Sequence, residues 1–374
     1  MTHEAAEGFR PARAARDTGR VIPHPDVAPL RLGTRGSALA TTQSGMVARR
    51  LEELTGRPVE LVRIRTEGDV RTGSLASLGG TGVFVAALRE ALLDGRCDVA
   101  VHSLKDLPTA LVEGLTIVTP EREDPRDALC ARAGHTLGSL PRGARVGTGS
   151  PRRAAQLRAA RPDLDVVDIR GNVDTRLRRA LGPDADLDAV VLACSGLVRL
   201  GRTDAVTDAL EPSVVTPAPG QGALAVEART ADVGPGGPLA DAFAALDHRA
   251  TRLAVLAERA LLARLEAGCA APVGALAHVE EGQLVLGAVV ARTDGTEKLQ
   301  HRAATPLDAM TEGRDDDDDA RELGVRVAEA LLADGADRLA PLASTAARPA
   351  SATTDPALAD PTEAGAPGQD SDRS

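Results

Sequence analysis

The chain is poor in aromatic residues: of 374 positions none is Trp or Tyr and three are Phe. Its cores must be built from Leu, Val and Ala, and the shortage argues against binding single-stranded nucleic acid by stacking bases on rings. Lysine is also scarce, standing only at 105 and 298, so nearly every other cation is Arg. The four Cys (97, 130, 194 and 269) are scattered without a Cys-x-x-Cys pair. That argues against structural zinc, and a disulfide framework is not expected in a chain this long. No apolar run approaches membrane-spanning length, and the N-terminus lacks the apolar core of a signal peptide. A reducing, cytoplasmic setting with no membrane partner is expected. The net charge of −10 further argues against a general polyanion or nucleic-acid binder.

The charge that is present is uneven. From Arg142 to Arg179 there are ten Arg against four Asp, a local excess of six positives in an acidic chain. Such a stretch suits a specific anionic ligand, and equally a solvated basic helix face. A second focus is Val101-His-Ser-Leu-Lys-Asp-Leu-Pro108. Asp98–Val101 reads as the end of a buried strand. His102, Ser103, Lys105 and Asp106 then fall at a strand's carboxyl end, where open α/β sheets place ligands. Pro108 keeps Leu107 extended. By itself Lys105-Asp106 reads as a surface pair at a loop start.

Taken in order, residues 1–29 lack periodicity and read as a disordered extension. A strand at Leu30–Leu32, a glycine-bearing turn, a helix over about Ala38–Leu54 and a strand at Val59–Ile64 open an α/β sheet. Arg35 and Ser37 stand where helix-start amides meet anions, although Ser37 is also a plain N-cap. Thr66–Gly82 is a glycine-rich loop, followed by a helix over Val83–Leu93 and a strand at Leu115–Val118. Glu121–Pro125 is a charged break. Beyond it, Ser150-Pro151 is a strong helix start with Arg152 and Arg153 in the first turn, a carboxylate or phosphate site by donor type. Gly147-Thr-Gly-Ser resembles a phosphate loop but lacks the Lys-Ser/Thr ending. Strands at Arg145–Thr148, Val166–Ile169 and Ala189–Leu192 each deliver Arg near the carboxyl end (152/153, 170 and 199), which predicts one cleft lined by guanidinium groups. Thr216–Gly222 is Pro/Gly-rich and reads as an interdomain crossing, and Ala223–Ala228 as a strand. A long helix over about Arg249–Glu266, a hairpin of Ala275–Val279 with Leu284–Ala291, a strand near Leu299–Ala303 and a helix over Ala320–Leu332 complete a small α+β unit. Asp315–Asp319 reads as a solvated loop before that helix, and residues 343–374 as a disordered tail.

Arg35-Gly-Ser37-x-Leu39-Ala40, Val101–Pro108, Gly147-Thr-x-Ser150-x-Arg152-Arg153, Arg170-Gly-Asn172 with Thr175-Arg176-Leu177, Leu192-Ala-x-x-Gly196-Leu197, Pro219-Gly-Gln-Gly-Ala223 and Gly268-Cys269 together resemble the porphobilinogen deaminase (hydroxymethylbilane synthase) family, from about Leu30 to Leu342. The resemblance implies an α/β fold class: two doubly wound lobes like periplasmic binding proteins around a cleft, and a small C-terminal α+β domain. The boundaries it implies are 30–121 with 222–246 for the first lobe, 122–221 for the second and 247–342 for the third. It implies a transferase of tetrapyrrole (haem) biosynthesis. Four porphobilinogen molecules lose ammonia and join head to tail into linear hydroxymethylbilane, on a dipyrromethane cofactor held by a thioether at Cys269. Asp106 matches the catalytic aspartate. Lys105, Ser103, Thr148, Ser150, Arg152, Arg153 and Gly171 match the cofactor side, and Arg35, Ser37, Arg170, Arg176, Arg199 and Gln221 the substrate side. No metal is implied, and a monomer is expected.

The chemistry agrees. Each pyrrole carries two carboxylates, for which Arg forks are suitable receptors, and a carboxylate near the pyrrole nitrogens stabilises the cation left when ammonia departs. Many bacterial members carry Lys where this chain has Ser77 and Thr81, so those positions supply no charge. The alternative reading is a non-catalytic two-lobed protein that binds a polycarboxylate.

Overall fold

The computed structural model describes residues 28–64, 82–268, 271–307, 315–340 and 342. The first unit is β1 (Leu30–Thr34), α1 (Ala38–Thr55), β2 (Val59–Arg63), α2 (Gly82–Leu93), β3 (Val99–Ser103) and β4 (Leu115–Val118). Ser37 caps α1 by accepting from the Ala40 amide, and Gly56, at φ 66°, ends it in the left-handed conformation that glycine adopts without strain. The second unit is β5 (Asp127–Ala131), β6 (Arg145–Gly147), α3 (Pro151–Ala160), β7 (Asp165–Val167), α4 (Val173–Leu181), β8 (Ala189–Ala193), α5 (Cys194–Arg199) and β9 (Asp208–Leu210). The chain then returns to the first sheet as β10 (Leu224–Arg229).

The strand orders are β2-β1-β3-β10-β4 and β7-β6-β8-β5-β9, so the two sheets share one topology. In each, three parallel strands come from local strand–helix–strand turns, and the fourth position is held by an antiparallel strand. That strand arrives from a chain crossing: β5 follows the crossing near residues 119–126, and β10 the one near 211–223. These two sheets, with helices packed on them, are the doubly wound lobes of the expected α/β class.

The third unit is a β-meander, β11 (Val273–Glu280), β12 (Gln283–Ala291) and β13 (Lys298–Pro306), with α6 (Arg249–Arg264) and α7 (Asp316–Ala333) on one face. Its core joins Leu253, Ala257 and Leu261 of α6 to Leu286 and Val290 of β12 and to Leu323, Val327 and Leu331 of α7. The hairpin and α6 lie where the periodicity put them.

The acidic run is a correction. Asp316–Asp319 form the first turn of α7, and Asp315 caps it by accepting from the Asp317 amide. Four carboxylates at a helix N-terminus complement its dipole, and Asp316 and Asp317 pair with Arg249 and Arg252 of α6, so the segment folds rather than solvating as a loop. Strands β5 and β9 and the helix Ala240–Leu246 also go beyond the sequence reading. Every residue of β5 is buried, so Ala-Leu-Cys-Ala shows neither alternation nor β-branched residues to mark it.

Candidate active site

The first lobe contributes a turn. β3 ends at Ser103 and one 3-10 turn follows, Leu104–Asp106. Leu104 and Leu107 are each 2% exposed and pack with Val85, Ala223, Ala225 and Val255. With both leucines anchored inward, Lys105 and Asp106 between them are left partly exposed. The Leu104 amide donates to the Ala223 carbonyl at 3.0 Å, which ties the turn to the second crossing. Ser103 exchanges hydrogen bonds with the Gln43 side chain of α1 at 3.0 and 3.3 Å, so its hydroxyl is spent inside the lobe.

The second lobe contributes a helix start. A Cβ on Gly147 would come within 2.6 Å of Leu187, and one on Gly149 within 2.5 Å of the Ile169 carbonyl oxygen, so the turn after β6 needs both glycines. The Thr148 hydroxyl accepts from the Ser150 amide at 3.3 Å, and the Ser150 hydroxyl accepts from the Arg153 amide at 3.5 Å as the N-cap of α3. Arg152 and Arg153 are nevertheless almost wholly buried. What keeps them there is Asp127, the first residue of β5 and fully buried: its carboxylate lies 2.8 Å from Arg152 Nη1 and 2.7 Å from Arg153 Nη2. Burial alone would push the Asp127 carboxyl up; the two guanidinium groups overcome that and hold it far below the usual carboxylate range.

Gln221 joins the lobes. Its amide nitrogen donates to the Pro125 carbonyl (2.7 Å) and to Asp127 Oδ1 (2.8 Å), while its oxygen accepts from Lys105 Nζ (3.2 Å) and Arg153 Nη2 (3.3 Å). Burial, helped by the nearby Arg153, lowers the Lys105 pKa to about 8, with Asp106 and Asp127 pulling the other way.

These groups border one cavity of about 210 Å³, lined among others by Lys105, Asp106, Ser150, Arg152, Arg153 and Gln221. Gly268 and Ala271, on either side of positions 269–270, line it as well. Cys269 itself lies outside the described residues, as do Ser77, Thr81 and both terminal extensions. A second cavity of about 260 Å³ shares Gly149, Ser150 and Pro151 with the first and adds Thr148, Asp168 and Arg170. Arg170 is well exposed and pairs with Asp168 at 3.1 Å. Arg176 donates from Nε to the Gly171 carbonyl at 2.8 Å. Burial lowers its pKa first, and repulsion by Arg153 and Arg170 adds to it, so three cations crowd this edge of the second lobe. Gly171 takes a positive φ of 113°, and a Cβ there would meet Thr175 at 2.9 Å.

The single Arg-lined cleft therefore forms only in part. Arg152, Arg153, Arg170 and Arg176 gather, but Arg199 does not join them. Its side chain is 4% exposed, pairs with Glu123 at 3.1 Å and donates to the Gly222 carbonyl at 2.7 Å, which locks the two crossings together. Arg35 is half-buried and Ser37 is exposed at the start of α1; neither lines the two cavities.

Among the described residues three buried carboxylates escaped the sequence reading. One is Asp127, and a second is Glu227 of β10, paired with Arg89 at 2.9 Å. The third is Glu258 of α6, fully buried, which accepts from Arg122 Nη1 and Nη2 (2.7 and 3.2 Å) and from the Gly220 and Ala277 amides (2.6 and 2.8 Å). It binds both crossings to the third unit. A signal for such residues exists in principle, because buried arginines require counter-charges, but it does not say which carboxylate answers.

Among the described residues no helix is long and apolar enough to cross a membrane, and no group of three His, Cys, Asp or Glu could hold a metal ion. Residues 30–234 match the family model "Porphobilinogen deaminase, dipyromethane cofactor binding domain", and residues 252–333 match "Porphobilinogen deaminase, C-terminal domain". The porphobilinogen deaminase of Leifsonia xyli is 57% identical over 84% of this chain and 94% of its own length. That of Micrococcus luteus is 53% identical over 84% and 95%. The periplasmic aliphatic sulphonate binding protein SsuA of Escherichia coli, at 17% identity and a TM-score of 0.32 over 63% of this chain and 70% of its own, resembles it too loosely to add to that. The non-catalytic binding reading is thereby set aside: the chain belongs to the porphobilinogen deaminase family.

Proposed function

We propose that the chain is a hydroxymethylbilane synthase, which deaminates four porphobilinogen molecules and joins them head to tail into linear hydroxymethylbilane. The observation that carries this reading is the cavity. It brings Lys105 and Asp106 from one lobe, Arg152 and Arg153 from the other, and the neighbours of Cys269 from the third unit around one space. The donor set fits a dipyrromethane. Two arginines share a single carboxylate, Asp127, and so leave a net positive wall for carboxylate side chains.

When bound through a Cys269 thioether, the dipyrromethane supplies a tethered pyrrole carbon on which the chain is extended. The protein's residues do the rest. Lys105, Arg152 and Arg153, with Ser103, Thr148, Ser150 and Gly171 shaping the turns, seat the cofactor carboxylates. Arg35, Ser37, Arg170 and Arg176 receive those of incoming substrate, and the exposed Arg170 is free to follow a lengthening chain. Arg199 and Gln221 act through the crossings they bind. Asp106 stands where its carboxylate stabilises the cation left by departing ammonia, and it moves the protons of the pyrrole nitrogens. The proposed units are 30–121 with 222–246, 122–221 and 247–342, working as a cytoplasmic monomer.

The test has two arms. The intact mass of the purified protein is expected to exceed the chain mass by two pyrrole units, mapping to the peptide with Cys269 and lost in Cys269→Ala but not in Cys97→Ala. Asp106→Asn is expected to fold normally and to lose nearly all turnover. Near-normal turnover in that variant, or attachment at another cysteine, refutes the assignment.

A further inference from the structure

The turn bearing Lys105 and Asp106 is held from outside its own lobe. On one side lies Gly220, whose backbone packs so close that an added Cβ would sit 3.2 Å from the Lys105 amide nitrogen. Gly220 is fixed there by its backbone amide, which donates to Glu258 Oε2 at 2.6 Å. On the other side are the carbonyls of Leu107 and Pro108, which accept from Arg259 Nη1 at 3.2 Å and Nη2 at 2.6 Å. Glu258 and Arg259 are consecutive residues of α6. One helix of the third unit thus grips the turn at both flanks, and the chain leaving the same helix after Arg264 leads to Gly268 in the cavity wall.

We propose that Arg259 is a positioning residue for Asp106. Its guanidinium bridges two successive peptide carbonyls and so fixes the distance from the Asp106 carboxylate to the cofactor-bearing wall. The proposal rests on the reading of Asp106 given above. The fork matters because the Leu107 amide closes the turn on the Leu104 carbonyl, but among the described residues no backbone amide donates to the Leu107 or Pro108 carbonyl, and a point donor reaches one carbonyl at a time. The cation is also not at ease in its place. Burial lowers its pKa and Arg89 adds to the effect, while Glu227, itself bound to Arg89 at 2.9 Å and to His102 at 3.1 Å, offsets part of it. A cation kept half-buried beside another cation indicates that its two carbonyl contacts outweigh the repulsion. A displacement of about 1 Å at a reacting group costs about a hundredfold in rate, which sets the scale of the expected effect.

The experiment compares Arg259→Lys, Arg259→Gln, Asp106→Asn and, as a control, Arg252→Met in the full-length protein. Arg252 lies on the same helix but pairs with Asp247 and Asp317, away from the turn. Arg259→Lys is expected to fold, to carry the two-pyrrole mass, and to lose about tenfold or more in kcat while KM stays within about twofold. Amide exchange over residues 104–108 is expected to quicken. Arg252→Met is expected to lose thermal stability and keep kcat. Full kcat in folded, loaded Arg259→Lys and Arg259→Gln overturns the proposal. So does a fall in kcat that only tracks lost stability, as does failure of both variants to fold. If Asp106→Asn is inactive while the Arg259 variants are normal, only the positioning role fails; if Asp106→Asn is active, the site reading itself fails.

Discussion

The two lobes are one topology put to two uses. β1 and β6 each carry a glycine at or next to their carboxyl end, packed against side chains, Gly33 on Cys97 and Gly147 on Leu187, and both run into a helix capped by serine, Ser37 and Ser150. Each lobe also receives one antiparallel strand from a crossing, and each such strand brings a buried carboxylate to arginines of that lobe: Glu227 of β10 to Arg89, and Asp127 of β5 to Arg152 and Arg153. The difference lies in where the pair stands. In the first lobe it lies behind the β3 strand, holding His102, and the cavity sees the neighbouring Asp106. In the second it forms the cavity wall. The scaffold provides equivalent strand ends, and the placement of one carboxylate decides whether a lobe presents an acid or a bank of cations.

Removing that carboxylate should have the largest effect. Asp127→Asn leaves two buried guanidinium groups facing one neutral amide and is expected to cost about 3–5 kcal/mol in chemical denaturation, and to yield protein without the pyrrole mass. Its pH signature has a definite sign. Because the Asp127 carboxyl is held low, its contribution is complete above the usual carboxylate range and is lost only as pH falls through the lowered value, so the variant should show less acid dependence than the parent. If Asp127→Asn proves as stable and as loaded as the parent, the contrast between the lobes is only geometric.

Next is the join between the lobes. Gly222 has φ 89°, and a Cβ there would stand 2.4 Å from the Glu123 carbonyl oxygen. Gly222→Ala is expected to lower stability by more than about 1 kcal/mol and to loosen Arg199, read as a drop in Tm with cofactor retained.

A smaller effect concerns Lys105. With a pKa near 8, the turn loses its positive charge in mildly alkaline solution, so its hold on the cofactor carboxylates is expected to weaken between about pH 7 and 9. Stability moves the other way. Between about 8 and the ordinary lysine value the unfolded chain holds a proton that the folded chain does not, so this group makes the fold more stable as pH rises. Lys105→Met should remove both trends. The smallest effect on the fold is expected for Arg170→Leu, an exposed side chain paired with Asp168: no measurable change in Tm, but enzyme–substrate complexes that stall at a shorter length when separated by charge.

The capped helices and the hairpin were legible because their signals are local. Ser150-Pro151 is a helix start wherever it occurs, and Glu280-Glu-Gly282 turns a hairpin from its own three residues. Arg152 and Arg153 were legible as an anion-binding pair, but Asp127 was not, since its burial follows from β5 entering a sheet from another lobe. Arg199 shows the limit most plainly. Its position after β8 was right, yet its guanidinium turns to Glu123, 76 residues earlier, and to Gly222, 23 residues later. Strand-end reasoning fixes where a residue stands and not which way its side chain points. The acidic run failed for the opposite reason: like charges suggest solvation until a helix dipole and two arginines on α6 receive them.

The interposed β10 has a consequence for synthesis. Among the described strands β4 is hydrogen-bonded to β10 alone, and β10 emerges after the whole second lobe has been made. The second lobe is contiguous in sequence and can close as it leaves the ribosome. The first, although begun earlier, waits with the unpaired edges of β3 and β4 open for about a hundred residues of translation, or several seconds at ordinary elongation rates. During that interval the nascent chain exposes the strand that will carry its acid, and the lobe whose cations will face that acid is the first to be finished.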